Sequence, residues 1–281
     1  MFQNKEMRDF VMNHSKILAK VTVLSLLACW ALNVNADIHV WASSPGPAEP
    51  YDAWTNAAHD INTAVDYANT NAPVTVLVTN GTYVLSSQID ITNDVTVISV
   101  NGESETTVDG SNSVRCFRLH HLNAIVDGFT SICHQHSLSK TGLNNHNADG
   151  AGGGTVKNST ITGNVSGQYG GGIFSYAGCT VTNCTISGNS AAQRGGGVEF
   201  YTGGTVQNCI ISGNSAAYGG GVRVESSGGT IRNCLITGNS ASGFGGGICC
   251  DRAGTIENCT ITGNSATYYG GGIHGAKITH Q

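Results

Sequence analysis

One nine-residue phrase constrains this chain more than any other feature. NCTISGNSA at 183–191 returns as NCIISGNSA at 208, NCLITGNSA at 233 and NCTITGNSA at 258, with a looser copy, NSTITGNVS, at 158. Asn158, Asn183, Asn208, Asn233 and Asn258 stand 25 residues apart, as do Asn164, Asn189, Asn214, Asn239 and Asn264. Glycine triplets before Ile173, Val198, Val222, Ile248 and Ile273 follow at spacings of 25, 24, 26 and 25. The single deletion before Val222 is made good by one extra residue in VESSGG, so register returns within one repeat, as stacked units require.

Helices do not fit the unit. Short segments such as GGVEFY, GTVQN and CIISGN are separated by Gly, Asn and Ser, and β-branched residues alternate with polar ones, which is the strand signature. Three short strands and their turns in 25 residues describe one coil of a parallel β-solenoid, with coils stacked about 4.8 Å apart. In TVTNCTIS the alternation points Val181, Cys184 and Ile186 inward and Thr182, Thr185 and Ser187 outward, with Asn183 at the bend. Asn tolerates the left-handed conformation and can bond its own copy in the next coil. Cys184, Cys209, Cys234 and Cys259 also recur every 25 residues. They read as small apolar filler rather than as a disulfide framework or a zinc site.

Upstream, VTVLVTNGTYV, IDITNDVTVISV, TTVDGSNSVRCFRL and AIVDGF read as strands of less regular coils, with turns at Asp109-Gly110 and Asp127-Gly128. Over 53–69, Trp54, Ala57, Ala58, Ile61, Ala64, Val65 and Ala68 share one helical face. A helix there would cover the open end of the core, the cap that such stacks need. Ahead of it, Lys5, Arg8, Lys16 and Lys20 precede the apolar run VTVLSLLACWALNV and the small-residue ending VNA. This is the pattern of a signal peptide, 1–36, cleaved after Ala36; Met12 is a second candidate start. Lipoprotein processing at Cys29 is the rival, since LLAC approximates a lipobox. The expected organisation is leader 1–36, capping segment 37–72, and solenoid 73–281 with regular coils from about 155. The last repeat stops partway, as in a fragment. No second apolar run follows the leader, so no transmembrane segment is expected in the mature chain. That chain holds 9 basic and 16 acidic residues, a balance that argues against nucleic acid as partner.

These residues resemble a known group. The unit ISGNSA…GGGV resembles the repeat of chlamydial polymorphic outer membrane proteins, with Ile in place of the Phe of FxxN and Gly in place of the Ala of GGAI. Residues 38–281 also resemble exported bacterial proteins of the pectin-lyase-like fold, through VTVLVTNGTY, SVNG and VDG. The resemblance implies an all-β fold, a right-handed parallel β-helix with a short N-terminal capping helix. It also implies a secreted or surface location. No autotransporter barrel is recognisable in the chain, so that mode of attachment does not carry over.

Chemistry must then come from residues that refuse to repeat. The polygalacturonase pattern is absent, and the regular coils offer only Glu199, Glu225, Asp251 and Glu257 as carboxylates. No catalytic residue, cofactor or metal site is assigned. After the inward Ile or Val of each coil, the next and third positions vary: Phe174/Tyr176, Glu199/Tyr201, Arg223/Glu225, Cys249/Asp251 and His274. Both positions are expected to face outward. Aromatic faces beside carboxylates suit sugar, so Tyr176, Glu199, Tyr201, Arg223, Glu225, Asp251 and His274 form the candidate ligand strip. A solvated strand face is the plainer reading of the same residues. His134, His136, His146 and Asp149 share one loop but match no metal-ligand spacing. Outward Thr160/Thr162, Thr185/Ser187 and Thr260/Thr262 hint at an ice-binding ladder, which Ile210 and Leu235 interrupt. The expected function is a secreted or surface adhesin-like protein that binds glycans or cell surfaces. The alternative is a polysaccharide lyase or glycoside hydrolase.

Overall fold

The computed structural model describes residues 36–111, 113–132, 143–145, 153–226, 228–252, 254–275 and 278–280. The chain divides into two units, 1–35 and 36–281, and all described residues belong to the second. That unit is a parallel β-solenoid. Three long sheets of ten, eight and eight strands run along it, with a narrow fourth sheet of five. One coil shows the plan. Thr180–Thr182 lies in sheet A, Thr185–Ser187 in sheet B, Ser190–Ala191 in the narrow sheet D and Val198–Thr202 in sheet C. The chain then re-enters sheet A at Gly204–Gln207.

Alternation decides what fills the core. Val181, Ile186, Val206, Ile211, Ile231 and Ile236 are fully buried, and Thr182, Thr185 and Ser187 between them face outward. Every strand pairing is parallel, and like residues stack in register, such as Ile186 opposite Ile211 and Ile211 opposite Ile236. Cys184, Cys209 and Cys234 are free thiols in the same core. Contact with the neighbouring thiol, with burial added to it, pushes Cys209 and Cys234 up to about 12. They are inert filler, as their spacing predicts. The disulfide at Cys116 lies outside the repeat.

The two asparagine columns do different work. Asn158, Asn183, Asn208, Asn233 and Asn258 adopt φ between 49° and 55° and turn sheet A into sheet B. Their amides bond coil to coil at 3.2–3.3 Å on the exposed side. The second column is buried from Asn164 to Asn239. Asn164 donates its backbone N–H and its Nδ2 to Asn189 Oδ1, at 2.9 and 2.7 Å. Asn189 in turn donates Nδ2 to Asn214 Oδ1 and to the Ile161 carbonyl, both at 2.9 Å. Asn214 and Asn239 repeat the pattern.

The glycines behind this ladder divide their roles. Gly195 opens its triplet at φ +59°, where side chains are strained. At Gly196 no positive φ is involved; an added Cβ would fall against the carbonyl oxygens of Gly220 and Ser215, the latter at 2.5 Å. The 24-residue and 26-residue spacings appear as a register shift between Ala216 and Tyr218 in sheet D. Thr205 opposite Thr230 is back at 25.

The cap is shorter than the apolar pattern suggests. Helix α1 spans Ile61–Asn71, with Asp60 accepting from the Thr63 N–H at 2.7 Å. Ile61, Ala64, Val65 and Ala68 join the core beside Val76, Ile89 and Ile91. The α-helix does not extend ahead of Asp60: Trp54–Asn56 forms only a single 3-10 turn, and Ala58 is bonded as a strand, its N–H to His39 O and its carbonyl to Trp41 N. Trp54 consequently leaves the apolar face. It sits edge-on to the His39 ring at 4.3 Å and is 37% exposed.

Asn214→Ala should cost on the order of 3 kcal/mol, since it strands two donors of Asn189 and the Ile186 carbonyl. Asn208→Ala on the exposed column should cost about 1 kcal/mol. Gly196→Ala should abolish folding. Gly213→Ala, which meets nothing closer than 3.9 Å, should cost only about the strain of its positive φ, roughly 1 kcal/mol. Chemical denaturation of the four variants checks the order.

Candidate functional site

Sheet C aligns the non-repeating residues. Phe174 stands opposite Glu199, Glu199 opposite Arg223, Arg223 opposite Cys249 and Cys249 opposite His274. These residues point away from the core, as expected, but only His274, half-buried, reaches solvent. Glu199 is 1% and Arg223 4% exposed, and Phe174 and Cys249 are equally buried. The expectation that this position faces water is therefore corrected.

The cause is a third row that the alternation argument missed. Tyr169, Arg194, Tyr218, Phe244 and Tyr269 each precede a glycine triplet and bridge one another along sheet D. They fold over the first row. Tyr169 stacks on Phe174 at 6.2 Å, and Phe244 stacks on His274 at 4.9 Å. The signal was present in sequence, since four of those five residues are aromatic.

Tyr176, Tyr201, Glu225 and Asp251 form the opposite edge. Tyr201 and Asp251 are exposed, while Tyr176 and Glu225 are half-buried. Tyr176 and Tyr201 stack at 4.9 Å with planes 9° apart. One face of each is spent on the other along the solenoid axis, and the edges and hydroxyls line the strip. Phe244 and Tyr269 do the same at 5.8 Å and 4°. A sugar would meet a row of polar edges here, not an open aromatic platform.

Between the two rows lies an ion cluster. Arg223 Nη1 is 3.0 Å from Glu199 Oε1 and 3.3 Å from Glu225 Oε2, and Nη2 binds Asp251 Oδ2. Arg194 Nη1 reaches Glu225 Oε2 at 2.7 Å and lies over the Tyr169 ring. Glu199 Oε2 and Arg223 Nε are buried with no hydrogen-bond partner. Burial pushes the Glu199 carboxyl up to about 8, against the attraction of Arg223 and with the help of Glu225. The carboxylates hold Arg223 above its ordinary range despite its burial. At neutral pH burial thus keeps the Glu199 carboxyl protonated in the presence of two arginines.

Cys249 sits 3.7 Å from Asp251 Oδ1. Burial and the Asp251 charge push its thiol up to about 12, away from nucleophilic use. The loop holding His134, His136, His146 and Asp149 lies outside the described residues. Among the described residues no cluster of three metal-binding side chains occurs. No helix among them is long and apolar enough to cross a membrane.

A stack of parallel coils with a varied strip on one sheet defines a β-solenoid scaffold. The chain belongs to the right-handed β-helix family: the model described as "Right handed beta helix region" matches residues 96–280. No curated protein matches. Among solved structures, the A-module of Azotobacter vinelandii mannuronan C-5 epimerase AlgE4 is 16% identical, with 79% of this chain and 90% of that chain covered and a TM-score of 0.25. The A-module of the AlgE6 enzyme of the same organism is 14% identical, over 77% and 94%, also at 0.25. Neither likeness carries residue roles over to this chain.

Because Glu199 holds a proton in the folded state that it loses above about pH 4.5 when unfolded, the folded state binds the extra proton between pH 4.5 and about 8. Stability should fall as pH rises through that window, with a contribution of up to about 1.4 kcal/mol per pH unit. Denaturant midpoints at several pH values should show the slope in the wild type and a flatter one in Glu199→Gln.

Proposed function

We propose that the protein is exported and binds glycans or a neighbouring cell surface through the edge-on strip of sheet C. The observation that carries this reading is the buried ion cluster. At the same row position, adjacent coils use Phe174 and Cys249, so the scaffold accepts apolar residues there. Burying Glu199 and Arg223 instead costs desolvation that a purely structural role would not require. Around them, the Tyr176 and Tyr201 hydroxyls, Glu225 and Asp251 offer closely spaced donors and acceptors, and sugar hydroxyls match such an array. The basic and apolar leader supports export, and the slight acidity of the mature chain supports a partner other than nucleic acid.

Tyr176→Phe with Tyr201→Phe keeps the ring stack and removes both hydroxyls. On a glycan array the wild type should be retained by a subset of glycans, and the double variant should lose about tenfold in affinity, near 1.4 kcal/mol. Retention that ignores both this pair and Arg223→Met would sink the reading. Shortened or unsaturated products in the same incubations would favour the lyase or hydrolase alternative.

A further inference from the structure

The row that carries Phe174, Glu199 and Arg223 does not begin in the regular coils. Register continues it upward: Phe174 stands opposite Asn144, Asn144 opposite Arg118, and Arg118 opposite Asp90. Arg118 is thus two coil steps from Phe174, about 10 Å along the axis. His120 follows Arg118 at the third position, the one held by Tyr176 and Tyr201 further down.

The charge balance changes along this line. In the regular coils Arg194 and Arg223 are matched by Glu225 and Asp251. In the upper coils Arg115, Arg118 and His120 gather around Asp90. Its carboxylate is already engaged by Gln88 Nε2 through both oxygens, at 3.0 and 3.1 Å. Arg118 Nη1 lies 4.0 Å from it and His120 Nε2 3.6 Å. Arg115, almost fully buried, donates to Gln88 Oε1 at 3.0 Å. Arg118 lowers both Arg115 and His120, behind burial in each case. Two arginines and a histidine thus share the one Asp90 carboxylate, which pulls both values back up. The Arg118 side chain keeps 34% of its surface in solvent, and among the described residues only Asp90 pairs with its guanidinium, a group that suits a bidentate anionic partner.

We infer that Arg118, with His120 beside it and Arg115 behind it, forms an anion-binding subsite at the upper end of the sheet C strip, suited to the carboxylate or sulfate group of an acidic glycan. The anion contact stands on this cluster alone; only the choice of a glycan as its carrier rests on the function proposed above. A chain lying along the axis would place its charged group at Arg118 and its hydroxyls against Tyr176 and Tyr201.

The probe is inorganic sulfate, titrated at constant ionic strength against chloride, with the His120 Cε1 proton resonance as readout. A saturable shift is expected in the wild type and in Tyr201→Phe. It should weaken at least tenfold in Arg118→Gln and be partly retained in Arg118→Lys, which keeps the charge and guards against misfolding as the cause. A response no different from that to chloride, or one unchanged in Arg118→Gln, overturns the subsite. Oligosaccharides of equal length bearing carboxylates, sulfate esters or no charge then identify the carrier. The charged ones should lose about tenfold in Arg118→Gln and the neutral one nothing. Sulfate binding with no glycan binding would keep the subsite and sink the glycan reading. Glycan binding indifferent to charge and to Arg118 would keep that reading and sink the subsite.

Discussion

The buried asparagine ladder is the constraint on which the rest depends. Each of Asn189, Asn214 and Asn239 sits in a place where an unpaired amide would be costly. Each is satisfied only because the same residue lies directly above and below it. The ladder therefore demands identical spacing in every coil. It also demands that the glycine run behind it come close: an added Cβ on Gly197 would lie 3.1 Å from Asn214 Nδ2. Sequence monotony is the cost of that mutual satisfaction, and apolar burial of the Ile and Val columns then follows with little further specification.

Function must be written where the ladder leaves freedom. The first outward row of sheet C is roofed by side chains from sheet D, and so behaves neither as core nor as surface. Phe174 and Cys249 show that apolar occupants are accepted there. Glu199 and Arg223 show that the same shelter can hold charge, with one carboxyl kept neutral by burial and an arginine shared among three acids. Stacking turns the flanking tyrosines edge-on, so the strip offers hydroxyls and charges rather than ring faces.

Most of the architecture was legible in the sequence because its causes are local and periodic. The strand alternation, the bend at Asn183 and the core role of Cys184 and Ile186 all follow from a period of two inside a period of 25. Two features were not legible, for the same reason. Trp54 was assigned to the helix because its spacing fits, yet Ala58 is claimed by a strand partner, His39, nineteen residues earlier. Glu199 and Arg223 were assigned to solvent because alternation separates only inward from outward. Whether an outward side chain is covered depends on where the residue before the glycine triplet folds. The alignment of the strip residues along sheet C follows from the repeat; their burial does not, and Arg115, Arg118 and His120 carry no such signal because the upper coils lack the repeat that would align them.

The one-residue deficit near Tyr218 gains meaning from this. Asn189 to Asn214 and Thr205 to Thr230 keep their 25-residue steps, while Val198 to Val222 takes 24. The shortfall is confined to the stretch that bears Arg223 and Glu225. Like a bay window in a timber frame, that stretch can be lengthened, shortened or refitted while the posts on either side stay where they are. New specificities could thus arise in this chain by small insertions and deletions as readily as by substitutions, without passing through an unfolded ancestor.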